Sequence, residues 1–161
     1  MWSDEIIKRL AEGTLDSDAL LELQRAAKDE DRFERIIKAE QERVPWNDKI
    51  ILCLQEHLYI VEKSNGDRIV KCTCGYEFGD YKQNWKESAL VYVRDTEEKL
   101  EEIYRGPRKP DPNWVILREF YCPGCATQLD VEVVMPHHPI IFNFLPDFEE
   151  WEKRKVLIGK S

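Results

Sequence analysis

The sequence predicts an α+β protein: an N-terminal helical arm over residues 1–45, then a mainly antiparallel, zinc-ribbon-like β domain over residues 46–161, with an inserted strand-helix unit and an irregular C-terminal tail. Three observations predict it. Apolar residues recur at helical spacing up to Pro45 and at strand-like spacing after Trp46. Two close cysteine pairs, Cys72 with Cys74 and Cys122 with Cys125, each end a β-rich run. With 161 residues, 42% of them hydrophobic, the chain is long enough for one domain's core and too apolar for wholesale disorder.

In the arm, Ser3 is placed to cap a helix whose stripe is Ile6, Ile7, Leu10 and Ala11 and which Gly13 stops. Asp16 or Ser17 caps a second helix carrying Leu20, Leu21 and Leu23. A third starts near Asp31, turns Phe33, Ile36 and Ile37 inward and ends before Pro45. These helices are short, charged and thinly apolar, so they need a surface to lie on, either their own domain or a partner subunit.

Beyond Trp46, "IILCLQEHLYIVEKSNGDRIVKCTCG" reads as two apolar runs joined by Ser64-Asn65-Gly66-Asp67, a strong hairpin signal. The second run delivers the first cysteine pair. "SALVYVRD" is a strand, and Thr96 caps a short helix with Glu97 and Glu98 at its positive end. "YRGPRKPDP" is a proline loop. "WVILREFYC" and "TQLDVEVVM" flank Cys122-Pro123-Gly124-Cys125 as a hairpin. The aromatic tail wraps the domain and ends in a helix near Asp147, and the tryptophans are expected to pack.

The first residues, "MWSDEIIKRLAEG", lack the basic, apolar and small-residue regions of a signal peptide, and no stretch reaches the roughly 18–20 apolar residues that cross a bilayer. A cytoplasmic location without membrane association is expected. Reducing conditions there favour a metal over disulfides for paired cysteines. A formal net charge of −8 weighs against a nucleic-acid partner, which needs a basic face.

Cys72, Cys74, Cys122 and Cys125 form the candidate metal site, because zinc takes four thiolates in a tetrahedron and two hairpin tips supply them. Pro123 fixes φ, Gly124 is expected to provide a positive φ, and Gly75 must turn the one-residue-spaced Cys72 and Cys74 to one ion. Iron in a rubredoxin-like site, four uncoordinated thiols, or three cysteines with one of His57, His137 and His138 are the alternatives. Lone histidines are more often packed or solvated. Cys53, between two leucines, reads as a small buried hydrophobe. Four thiolates would close the coordination sphere, so the metal is expected to be structural. Asp130 and Glu132 share a strand face, but among 32 acidic residues the coincidence earns them no role. The sequence offers no catalytic and no cofactor-binding constellation.

The order Cys-x-Cys-Gly, Asn-Trp-Lys, Arg-Asp, Arg-Glu-Phe-Tyr-Cys-Pro-x-Cys, from about Glu56 to Trp151, resembles the gamma subunit of bacterial acetone carboxylases. His137 and His138 depart from it, standing where a glycine-containing turn is expected. The resemblance implies a heterohexamer with two copies each of alpha, beta and gamma subunits. That assembly carboxylates acetone with bicarbonate and ATP to acetoacetate, releasing AMP and phosphate. It also implies ATP and manganese on the large subunits, zinc on this one, and a partner surface for the arm to pack against. The corresponding subunit of another ketone carboxylase, such as one for acetophenone, and a zinc-ribbon module for nucleic acid or protein are the other readings.

Overall fold

The structure is a computed structural model that describes residues 2–158, with side chains through residue 153. Its first helices start where their caps dictate. The Ile6 N–H donates to Ser3 Oγ (3.3 Å) at the start of α1, Asp4–Ala11, and Gly13 at φ 68° ends that segment. Asp16 accepts from the Ala19 N–H (2.9 Å) ahead of α2, Ser17–Arg25. Helix α3, Arg32–Arg43, follows Asp31 and stops before Pro45. It is the layer between α1 and the first sheet: Ala39 and Ile7 are buried, while Ile37 and Val44 pack against Ile50, Tyr59 and Val61. No residue of α2 is buried.

Four antiparallel strands form the first sheet in the order β1-β2-β3-β4: β1 Lys49–Gln55, β2 Leu58–Glu62, β3 Arg68–Cys72 and β4 Glu77–Asp80. The Asn65-Gly66 turn joins β2 to β3, with Gly66 at φ 87°. The apolar run before it is two strands, not one. It reverses at Glu56-His57, where His57 takes φ 64°, a conformation histidine adopts more readily than bulky residues but which announces no turn in a sequence. Strand β4, with only four residues and a bulge against β3, carried no sequence signal long enough to read.

A 3-10 turn, Trp85–Ser88, leads to the second sheet, ordered β5-β6-β7: β5 Leu90–Arg94, β6 Ile116–Tyr121 and β7 Gln128–Val134. Between β5 and β6 lies α4, Glu97–Glu101, capped by Thr96 as expected, and α5, Phe148–Ile158, follows Asp147, whose Oδ1 accepts from the Glu150 N–H (2.9 Å). The sheets share one core of Leu58, Ile60, Val70, Phe78, Trp85, Phe120, Leu129 and Phe148 with Cys72 and Cys122. Edge-on aromatic contacts cross it, Phe78 to Trp85 at 5.7 Å and Trp85 to Phe120 at 6.3 Å. Trp114, by contrast, is 74% exposed and does not pack as expected, because it sits in the polar loop just ahead of β6.

Asp130 and Glu132 do have a role. Both lie 2.6 Å from Lys86 Nζ, which is 3% exposed and 5.2 Å from the centre of the Phe120 ring. A cation so placed is tolerable only with its countercharges at hand. The tail is tied back by Arg118, which donates to the carbonyls of His138 (2.8 Å) and Pro139 (3.1 Å), and by Trp151, whose ring meets Phe33 of α3 edge-on at 5.5 Å.

Candidate metal centre

Each cysteine pair lies at a strand end where the backbone folds back on itself. After β3, the Gly75 N–H donates to the Cys72 carbonyl (2.8 Å), the Cys72 N–H to Tyr76 O (2.9 Å) and the Thr73 N–H to His57 O (3.0 Å). Gly75 takes φ 98°, and a Cβ there would stand 3.4 Å from the Trp46 ring. After β6, the Ala126 N–H donates to Cys122 O (2.8 Å) and the Cys122 N–H to Thr127 O (2.9 Å). The expected positive φ belongs to Ala126 (57°) and not to Gly124. Gly124 is required for a different reason: a Cβ on it would lie 3.0 Å from Tyr76 Cβ and 3.3 Å from Cys74 Sγ. The second turn is glycine-bearing so that the first can approach it.

All four sulfurs of Cys72, Cys74, Cys122 and Cys125 lie within 4.8 Å of one another. Cys72 and Cys125 are 3.8 Å apart, Cys74 and Cys122 3.7 Å. A tetrahedron with zinc–sulfur bonds of about 2.3 Å has an edge of about 3.8 Å, so these separations fit one ion, and they far exceed a disulfide bond of about 2.05 Å. Cys72 and Cys122 are fully buried, Cys74 and Cys125 exposed. Burial pushes the Cys72 and Cys122 thiols up. At Cys125 burial also raises the value, but the Thr127 hydroxyl 3.2 Å away, the Thr127 backbone and the neighbouring sulfurs outweigh it and bring the thiol down to about 7. Four sulfurs this close could share one cation, and a coordinated thiol is deprotonated outright. The cluster could therefore hold a metal ion, and its donor set is compatible with zinc.

None of the three histidines joins the sulfur group among the described residues. His57 Nδ1 lies 3.4 Å from Thr73 Oγ1, His137 occupies a positive-φ turn and His138 accepts from Arg118. Cys53 is half-buried against Val44, Ile50, Tyr59 and Val61, and burial pushes its thiol up to about 12. Sequence reasoning missed Trp46, whose indole N–H donates to the carbonyls of Cys72 (3.3 Å) and Thr73 (3.1 Å) and so braces the first turn. No spacing rule connects a tryptophan to a cysteine pair so far along the chain.

Among the described residues no helix is long and apolar enough to cross a membrane. Comparison with known proteins gives one family and two relatives. The profile of a family described as "Acetone carboxylase gamma subunit" matches residues 44–156. The acetone carboxylase gamma subunit of Xanthobacter autotrophicus is 45% identical over 147 residues, which cover 88% of this chain and 88% of that protein. The acetophenone carboxylase beta subunit of Aromatoleum aromaticum is 34% identical over 83 residues, 50% of this chain and 64% of that protein.

Proposed function

The chain belongs to the acetone carboxylase gamma subunit family, and from that premise we propose that it is the zinc-bearing, non-catalytic subunit of an ATP-dependent carboxylase that converts acetone and bicarbonate to acetoacetate. In this reading ATP hydrolysis to AMP and phosphate, and the manganese, belong to the larger alpha and beta subunits. Two copies of each chain assemble in the cytoplasm. The four sulfurs carry the proposal. They supply a full tetrahedral set and leave no position for substrate, which is the coordination of a structural rather than a catalytic zinc.

The ion's task would be mechanical. Cys72 and Cys74 follow β3 of one sheet, Cys122 and Cys125 follow β6 of the other, so one ion cross-links the sheets at the edge of the shared core. The division into an arm (residues 1–45) and a β domain (residues 46–161) belongs to this reading, with α3 laid on the chain's own first sheet. The match to an acetophenone carboxylase subunit supports a second substrate, an aromatic ketone, but the longer and stronger match is to the acetone enzyme. Native mass spectrometry with metal analysis of the protein from its own cell extract tests the proposal. One zinc per chain in a complex with two larger chains is expected. An isolated chain, or one carrying iron, would overturn it.

A further inference from the structure

We propose that the open face of the β5-β6-β7 sheet is the surface by which this chain docks onto a larger subunit of its complex. The strand register places Leu90 beside Tyr121 and Gln128, Tyr92 beside Glu119 and Val131, and Arg94 beside Leu117 and Val133, all on one face. Met135 continues the alternation past the end of β7. The opposite face carries Phe120 into the core, so the open one is free to be covered from outside.

Its own chain covers it only at one end. Arg94 donates to the Lys99 carbonyl of α4 (2.8 Å) and Leu100 of that helix is wholly buried. Around the ion-paired centre, apolar side chains are left bare: Leu90 is 54% exposed on β5, and on β7 and just past it Val131 is 42%, Val133 64% and Met135 67% exposed. Scattered exposed hydrophobics mean little, but the run Val131, Val133 and Met135 along one face of the edge strand β7 and just past it marks an interaction surface. The face is also electrically quiet. Arg94 Nε is 2.8 Å from Glu119 Oε1, the Tyr121 hydroxyl donates to Glu119 Oε2 (2.8 Å), and Gln128 Nε2 donates to that hydroxyl (3.2 Å). Its charges are spent on each other, leaving nothing to grip a phosphate backbone.

Three facts select a larger subunit as the occupant. Both relatives are themselves subunits of carboxylases. The family match spans residues 44–156, which contain this entire sheet, so the face lies within the part of the chain that the family profile covers. A second copy of the chain would bring −8 against −8 across the same face. Interfaces of the obligate kind are richer in apolar surface than the rest of a protein, as the exposed edges of this face are.

The inference rests on the subunit reading above, and the experiment separates the two. The full chain is co-expressed with the alpha and beta subunits, in wild-type form, as Val131→Asp/Val133→Asp, and as Leu21→Asp on α2. The double variant should be recovered in the complex at least about tenfold less than wild type, with unchanged metal content and melting temperature, while Leu21→Asp assembles normally. Amides of residues 128–134 should also gain hydrogen-exchange protection when the wild-type chain assembles. Normal assembly of the double variant, or no gain of protection there, overturns the docking face and leaves the subunit reading intact. A wild-type chain that never joins the larger subunits overturns both. Self-association abolished by the double substitution would make the occupant a second copy and overturn the assignment.

Discussion

At the cysteine end of the molecule Cys72 and Cys122 are fully buried within the core, next to Phe120 and Leu129, and the two turns approach so closely that a Cβ on Gly124 would press on Tyr76 and Cys74. In the arm, α1, α2 and α3 together bury Ile7 and Ala39 and are linked through Arg35, which reaches Asp4 (2.7 Å), Asp29 (3.4 Å) and the Trp2 carbonyl. One region is held by packing around its cysteine turns, the other by caps and ion pairs, of which Arg35 to Asp4 opens to solvent and Arg35 to Asp29 is largely covered. Ion pairs near solvent contribute little each, whereas a metal held by the four cysteines would add its binding free energy to folding. The arm should therefore loosen without unfolding the β domain, and the converse should not hold, because α3 lies on β1 and β2.

The sharpest way to break that contrast is at the sulfurs. Cys72→Ser is expected to abolish metal retention and to lower stability by several kcal/mol, since zinc binding contributes about 10–16 kcal/mol in zinc-finger peptides. Cys53→Ala, outside the sulfur group, should keep one equivalent of metal. Metal analysis and thermal melting of both variants decide it. One equivalent of metal retained by Cys72→Ser would show that this sulfur is not a ligand.

A second substitution tests whether the core near Phe120 is held by apolar contact or also by charge. Lys86→Ala would leave Asp130 and Glu132 facing each other without their cation, beside Arg118, whose terminal nitrogen lies 2.8 Å from Glu132. The expected loss is about 3–5 kcal/mol by denaturant titration, the usual cost of breaking a buried pair from one side. Adding Asp130→Asn should recover part of it. A loss below about 1 kcal/mol would mean that the lysine is a spectator.

The same contrast explains what could be read in the sequence. Caps at Ser3, Asp16 and Thr96 and the ends at Gly13 and Pro45 were legible because they are local: a side chain bonds an amide three residues on. The four cysteines were legible because spacing alone marks a knuckle. What was not legible depends on partners distant in sequence or on unusual residues in turns. The β1–β2 reversal uses a histidine and the second knuckle an alanine in the left-handed region, where glycine or asparagine would have been the signal. The clasp of Lys86 by Asp130 and Glu132, and the brace from Trp46, join residues far apart in the chain and exist only once it has folded back on itself.

The smallest effect probes the arm itself. The Ala19 amide holds the Asp16 carboxyl below its ordinary value of 3.8. A carboxyl depressed in the folded state contributes stability that is present above its unfolded value and is lost as pH falls through the lower folded one. The amide resonances of Ala19 and Leu20 should therefore stay constant from neutral pH down to the ordinary carboxylate range and shift below it. In Asp16→Ala they should report a frayed first turn at every pH, while the melting temperature of the β domain stays where it was. If the global melt moved with this cap, the arm would be part of the same cooperative unit as the cysteine end, and the difference between the two regions would be one of composition and not of stability.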